Sequence, residues 1–473
     1  SPVDRILARR LRRSPTEPAV LVTTRQHELS VTNWDELTVQ ARRFGLGLIA
    51  LGVEPGDAVG ILGCAGPEAI IVTLGAMLVG VAIADLGDGS DVDASSFADS
   101  IERASCRLVI CGEREHAESF GAIVRHHCGE RSMVGWGAAS SVSGVYPFGQ
   151  VCLKGAEQLD YEPARAEKRI SAVSNDAVAL VIPDSRRDGT FRQVRLTHDN
   201  CIVAAESLRK SIGVTQVDRI APIGASRGLV ELVLLALLGG LTGASLVYAV
   251  GEISPLLLCQ SARATILLSD GDALDRLHRD IDRELLLAAG WRNGFKPWAR
   301  RVGNEAARRR ICGTELGLYL FASHWVADRL VLSEQRRLLG GCIRRIVVHV
   351  SGMRRATRWF FESMGISPLA FVGRPESAGI GLLELPEDPR PGSFGRGMPG
   401  VDVWVDSEGR VRIRGANVAR SVGGVRDEGW LDLEITGEID EEGTIWPEHS
   451  LGALDAPSLA VLPIAEHTEH SAR

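Results

Sequence analysis

Residues 34–84 alternate in a rhythm that few folds accept. The stretch 34–51, WDELTVQARRFGLGLIAL, puts Leu37, Ala41, Phe44, Leu48 and Leu51 on one helical face. Turn chemistry follows in Gly52-Val53-Glu54-Pro55-Gly56-Asp57. Ala58 to Leu62 then reads as a strand, Pro67 to Leu78 as a helix and Val81 to Ala84 as a strand. That βαβ order demands a parallel sheet with right-handed crossovers. The apolar run Leu229 to Val250 fits the same plan. It is long enough to raise a membrane span, but Glu231, Gly239-Gly240 and Gly243 interrupt it. It reads as a buried helix to Leu238, a glycine turn and a strand from Ala244 to Val250. Strands apolar on both faces belong to sheets covered on both sides.

A chain of 473 residues implies more than one domain or subdomain. Its 53 basic and 60 acidic residues give a net charge of −7, which argues against a general nucleic-acid binder. Lysine is confined to Lys154, Lys168, Lys210 and Lys296, an imbalance toward arginine that reflects base composition before function. Nine cysteines with no CxxC pair suggest reduced thiols and a cytoplasmic setting. Cys106, Cys111, His126, His127 and Cys128 are too irregularly spaced for a metal site. The N-terminal SPVDRILARRLRRSP has basic residues but no apolar core, so it does not read as a secretory signal.

The candidate chemistry centres on Ala179 to Asn200, ALVIPDSRRDGTFRQVRLTHDN. A strand over Val178 to Ile182, a glycine-containing loop, a second strand and a helix-like CIVAAESLRKSIG is a way to aim backbone N–H groups at a phosphate. The loop itself carries Asp184, Arg186, Arg187 and Asp188. Carboxylates repel a polyphosphate and arginines crowd the backbone, so residue chemistry alone favours a charged surface loop.

The same stretch resembles the phosphate-loop signature of the AMP-forming adenylating enzymes, roughly Y-T-S-G-T-T-G-x-P-K-G-V-x-x-T-H-x-N. Ser185, Gly189, Val194, Thr197, His198 and Asn200 match it, Arg192 stands where the family has lysine, and Asp184, Arg186, Arg187, Asp188, Phe191 and Gln193 depart. Downstream, PLAFVGRPES over 368–377 resembles the family's Y-G-x-T-E-T, with Gly373 and Glu376 matching and Val372 and Pro375 departing. Gly392 to Val418, which contains Arg414, is the least altered family segment. GWLDLEITGEID over 429–440 resembles G-W-x-x-T-G-D-x-G-x-x-D, but Ile435 falls where the family has its ribose-binding aspartate. If this segment is a strand, the neighbouring Glu434 points elsewhere.

The resemblance implies an α/β fold: the large N-terminal domain of an acyl-CoA synthetase, with two doubly wound βα subdomains and a small β-barrel. The expected divisions are residues 1–175, 176–385 with a helical insert near 279–341, the barrel over 386–445 and a tail over 446–473, with the family's mobile C-terminal domain missing. Residues 129–165 read as loops and short strands. The Arg-rich insert resembles that of the bacterial long-chain fatty acyl-CoA synthetases. It reads first as a solvated hairpin with arginines outward, and second as a surface for anionic lipid or a carrier-protein arm.

By the same resemblance, Glu376, His198 and Thr197 hold catalytic positions, with Glu376 the Mg²⁺ ligand. Ser185, Gly189, Arg192, Arg186, Arg187, Gly373 and Arg414 line the nucleotide. The gating aromatic or histidine is missing near Gly224, Ala225 and Ser226. Three functions follow. The first is a degenerate acyl-CoA-synthetase-like protein that binds a fatty acyl or other carboxylate, or serves as a partner subunit, and needs no cofactor. The second is an active long-chain acyl ligase using ATP and Mg²⁺, with arginines and a protein partner replacing the missing groups. The third is new chemistry at His198, Glu376 or Cys259. None calls for nucleic acid or a transmembrane segment; the expected location is cytoplasmic, with membrane association as an option. Thr197, His198, Ser185 and Glu376 equally fit a role in capping and packing.

Overall fold

A computed structural model describes every residue except 25, 27, 64–65, 88, 90–92, 186–190, 225–227, 250–252, 289–293, 420, 423–428 and 449–473. Three sheets carry the fold. The first has eight strands in the spatial order Ser421–Val422, Phe191–Thr197, Val178–Ser185, Ala82–Asp85, Ala58–Leu62, Cys106–Cys111, Met133–Gly135 and Tyr146–Pro147. From Val178–Ser185 onward its neighbours are parallel, as the βαβ rhythm requires. The second has nine strands. Pro368–Val372, Arg345–His349, Ile266–Ser269, Arg219–Ile223, Ser245–Ala249 and Pro18–Thr23 run parallel through its centre. The third is a four-stranded antiparallel sheet of Val401–Val405, Arg410–Gly415, Leu431–Ile439 and Ile445–Pro447. The chain passes between the large sheets: Pro18–Thr23 joins the second, while Val178–Ser185 and Phe191–Thr197 complete the first.

The helix Trp34–Ala50 starts on a capping box, with the Asn33 side chain accepting from the Glu36 N–H and the Glu36 carboxylate returning the bond. Its predicted face is buried through Leu37, Ala41, Phe44 and Leu48. The segment expected to lack periodicity contains a helix, Phe148–Tyr161. Its buried stripe includes Val151 and Gly155, so a glycine occupies one core-facing position and hides the apolar period. The glycine is needed: a β-carbon at Gly155 would collide with the Arg43 carbonyl of the Trp34–Ala50 helix.

The apolar run folds as the helix Leu229–Thr242, a left-handed Gly243 and the strand Ser245–Ala249. The helix therefore runs past the glycine pair instead of stopping at Leu238. Among the described residues no helix is long and apolar enough to cross a membrane.

The insert is helical, with Gly271–Ala288, Lys296–Ile311, Leu318–Ala327 and Ser333–Leu338. Residues 279–341 hold twelve Arg and Lys against seven Asp and Glu in an otherwise acidic chain. Arg301 and Arg308 face solvent as expected. The outer face of Leu318–Ala327 departs from that picture. Leu318 is 90% exposed, Tyr319 86%, Phe321 61% and Trp325 60%, so this part of the insert shows water an apolar surface.

Candidate functional site

The strands Val178–Ser185 and Phe191–Thr197 form an antiparallel hairpin that sets Ser185 opposite Phe191 and Asp184 opposite Arg192. Arg186, Arg187 and Gly189 lie outside the described residues, and Ser185 and Arg192 are defined by this backbone register alone.

Thr197 ends the hairpin and caps the helix His198–Ile212. Its hydroxyl accepts from the Asn200 N–H at 3.2 Å, and the Asn200 amide oxygen accepts from the Thr197 N–H at 2.9 Å. Asn200 then donates to the carbonyls of Ala416 at 2.6 Å and Val418 at 3.2 Å. The turn it holds reaches the next motif, where the Ala419 N–H donates to the Glu376 carbonyl at 2.7 Å. Asn417 donates to the carbonyls of Ser377 and Ile380 at 3.2 and 2.9 Å. One turn therefore gathers Thr197, Asn200 and Glu376, although they lie far apart in sequence. Asn200 and Asn417 are the clamps; Asn200 matched the family pattern, and Asn417 lies in the least altered family segment, 392–418, without being singled out there.

His198 does not share that polar site. Its side chain is fully buried, and neither ring nitrogen has a hydrogen-bond partner among the described residues. Burial pushes its pKa down to about 4, so the imidazole is neutral at physiological pH. Cys259 is equally unsuited to nucleophilic work: it is fully buried, and desolvation pushes its thiol up to about 12.

Gly373 opens the second motif, and a β-carbon there would strike the Gly379 carbonyl, so the close reversal needs glycine. Glu376 follows, buried at 2% exposure. Both of its carboxylate oxygens accept from the Arg374 guanidinium, from Nε at 3.2 Å and Nη2 at 3.0 Å. The remaining Arg374 Nη1 pairs with Glu434 at 2.5 Å. Burial alone would lower the Arg374 pKa; the bonds and charges of Glu376 and Glu434 outweigh it and hold the guanidinium above its ordinary value.

Glu434 corrects the expectation that it points elsewhere. Leu431–Ile439 is not a regular strand: Arg412 pairs with Asp432 while Arg410 pairs with Thr436, so the strand bulges between them. Glu434 takes a left-handed φ of 57° in that bulge, which turns its side chain toward Arg374. Its neighbour Ile435 packs against the small sheet's apolar core of Val411, Ile413 and Leu433. Arg414 is engaged as well, pairing with Asp402 at 3.1 Å and lying 4.7 Å over the Trp430 ring. At the end of Arg345–His349, the His349 Nδ1 lies 2.6 Å from the Ser351 hydroxyl, and burial lowers its pKa.

The AMP-binding enzyme family profile matches residues 7–421. The chain belongs to the AMP-binding enzyme family. Among curated relatives, a Mycobacterium tuberculosis protein named as the fatty-acid–CoA ligase fadD11 is 22% identical over 282 residues, 58% of this chain and 49% of that protein. The match thus spans about half of that relative's length. The Mycobacterium bovis long-chain-fatty-acid–CoA ligase FadD15 is 21% identical over 439 residues, 87% of this chain and 68% of the relative. Among solved structures, the inhibitor-bound N-terminal domain of FACL13 from Mycobacterium tuberculosis superposes with a TM-score of 0.67 at 18% identity, covering 94% of this chain and 98% of that one. The fold is therefore the α/β large domain of the adenylate-forming enzymes.

Enzymes of the AMP-binding family use ATP, typically with Mg²⁺. The residues present do not fit a resident Mg²⁺ at Glu376. A carboxylate holds that dication only with its charge available and with substrate phosphates to help. Here the charge is already neutralised by Arg374, and a dication on Glu376 would sit beside that guanidinium. Ile435 offers no acceptor for a ribose hydroxyl. Glu376 instead binds a cation of the chain's own. Sequence reasoning missed Arg374 because it stands at an unrestricted position of Y-G-x-T-E-T.

Proposed function

We infer that this AMP-binding family member is an acyl- or carboxylate-binding protein with impaired use of ATP, related to the fatty-acid–CoA ligases but not working as one. The fork of Arg374 between Glu376 and Glu434 carries this reading. Transition-state charge in adenylyl transfer is stabilised by preorganised cations and donors, each contributing about 3–4 kcal/mol. A buried carboxylate committed to an internal arginine supplies none of that. The charged loop and Ile435 support the same conclusion from the sequence side.

A thermal shift tests it. Saturation at about a hundred times the dissociation constant adds about 2.7 kcal/mol of stability. A long-chain fatty acid is expected to raise the melting temperature, and ATP with Mg²⁺ is expected to leave it unchanged. A shift with ATP and Mg²⁺ would instead point to the active ligase.

The Leu318–Ala327 helix gives the membrane option a concrete form. Its exposed Leu318, Tyr319, Phe321 and Trp325, in a segment of twelve basic against seven acidic residues, suit an anionic bilayer surface. Vesicles rich in phosphatidylserine are expected to sediment the protein, and vesicles of phosphatidylcholine alone to leave it in solution. Trp325→Ser with Phe321→Ser should abolish that binding; equal sedimentation of variant and parent would remove the helix from the account.

A further inference from the structure

Arg345–His349 is an inner strand of the second sheet, parallel to Ile266–Ser269 on one side and to Pro368–Val372 on the other. Open parallel sheets take their ligands in the crevice beyond the carboxyl ends of their strands. His349 stands at that end of its strand, and Ser351 follows two residues on. Gly373 and Glu376 follow the carboxyl end of the neighbouring strand, so His349 and Ser351 share an edge with the fork of Arg374. Neither residue has a part in that fork.

Two contacts fix the imidazole. The Ser351 N–H donates to His349 Nδ1 at 3.3 Å, and the Ser351 hydroxyl lies 2.6 Å from the same nitrogen. A backbone N–H can only donate, so Nδ1 is an acceptor and the ring proton sits on Nε2. The hydroxyl therefore donates to Nδ1 as well. Phe371, opposite His349 in the strand register, meets the imidazole edge-on with 5.1 Å between ring centroids. Ser351 itself is exposed.

Burial lowers the His349 pKa. The Gly373 backbone and the charge of Asp270, on the turn after Ile266–Ser269, act the other way and are outweighed. The ring is therefore neutral at physiological pH. A neutral imidazole whose acceptor nitrogen meets an exposed hydroxyl is equipped as a general base beside a nucleophile. In α/β-hydrolases the N–H of the residue after the nucleophile supports the oxyanion. Gly352 holds that position here, in a left-handed turn with φ 82°.

We propose that Ser351 and His349 form a nucleophile–base pair that hydrolyses an activated acyl ester. Ser351 Oγ attacks the acyl carbonyl while His349 Nδ1 takes the hydroxyl proton. The bond from the acyl carbon to the leaving oxygen breaks, that oxygen departs with the proton, and an acyl-serine remains. Water then attacks the acyl-serine with Nδ1 as base. The proton passes to Ser351 Oγ as the new acid is released, so water is the one co-reactant. A preference for long acyl chains rests on the acyl-binding reading; the pair itself does not.

The probes are p-nitrophenyl acetate, whose acetyl group needs no acyl groove, and p-nitrophenyl octanoate. Release of p-nitrophenolate gives the rate, and peptide mass mapping after an acid quench gives the acylated residue. The parent is expected to release p-nitrophenolate and to carry the acetyl group on Ser351. Ser351→Ala removes only an exposed hydroxyl and is expected to lose both. His349→Asn keeps an acceptor for the turn but not the base, and is expected to slow acylation at least about a hundredfold. In the parent the rate should rise with pH and level off, with an inflection below the ordinary histidine value of 6.5, as the ring loses its proton. His349→Asn should lose that inflection. Faster acylation by the octanoate ester would support both the pair and the acyl-binding reading; equal rates on Ser351 would support the pair and count against that reading. Acetyl groups confined to other residues, Ser351→Ala reacting at the parent rate, or His349→Asn reacting at the parent rate would each overturn the proposal.

Discussion

Arg358→Met is expected to cost about 3–5 kcal/mol of stability, the largest effect of any single change considered, because it strands two buried carboxylates. Arg358 is 5% exposed on the helix Arg355–Ser363. It donates to both oxygens of Glu384, at 2.8 and 3.0 Å, and lies 3.6 Å from Glu362. Glu384 is 1% exposed and Glu362 3%. Glu384 also accepts from the Ala370 N–H at 2.8 Å, so the pair ties helix to sheet. Burial holds the Glu362 carboxyl above its ordinary range, and Arg358 is the charge that opposes this. A carboxyl raised in the folded state contributes stability at low pH that is lost as pH rises through its folded pKa. Arg358→Met should therefore fall further behind the parent as pH rises. Denaturant titration of Arg358→Met, Glu384→Leu and the double variant checks the account. The double variant should recover at least about 2 kcal/mol relative to the sum of the singles. A cost for Arg358→Met below about 1 kcal/mol would show that the pair is no more than an exposed ion pair in effect.

His198→Leu is expected to remove most of the acid sensitivity that this imidazole gives the fold. The folded-state pKa is about 4 against an ordinary 6.5, with burial as the main cause. The unfolded chain binds the proton first. Stability from this group is complete above about pH 6.5 and is lost as pH falls toward 4, to a total of about 3 kcal/mol. Stability measured at intervals from pH 7 to pH 4 should fall about 3 kcal/mol less in His198→Leu than in the parent. Parallel profiles would mean that the imidazole is already charged or solvated in the folded protein. The burial also bears on function, because a histidine sealed from solvent and lacking a hydrogen-bond partner among the described residues is poorly placed to act as a general base.

Much of the fold was legible because its signals are local. Turn residues at Gly52–Asp57, a strand at Ala58–Leu62 and a hairpin over Val401–Val405 and Arg410–Gly415 each state their geometry within a few residues. The order of the family motifs gave the rest. What escaped depends on partners distant in sequence. Gly155 looks like a helix breaker until the Arg43 carbonyl beside it explains why nothing larger fits. Glu434 looks like an outward strand residue until the bulge between Asp432 and Thr436 turns it. Arg374 looks like a variable residue until both of its carboxylate partners are in place. The apolar outer face of Leu318–Ala327 was obscured by the arginines around it, whose abundance put a solvated charged hairpin first and lipid or a carrier-protein arm second.

The most direct test is calorimetric titration of Mg²⁺ and ATP together into the parent chain and into Arg374→Gln. Arg374 neutralises Glu376, so the parent is expected to give no saturable heat up to about millimolar ligand, a binding free energy of about 4 kcal/mol. Arg374→Gln frees Glu376 and Glu434 and is expected to gain measurable Mg²⁺ binding. Saturable binding of Mg²⁺ and ATP by the parent, unchanged in Arg374→Gln, would contradict the central claim and return the chain to the working ligases of its family.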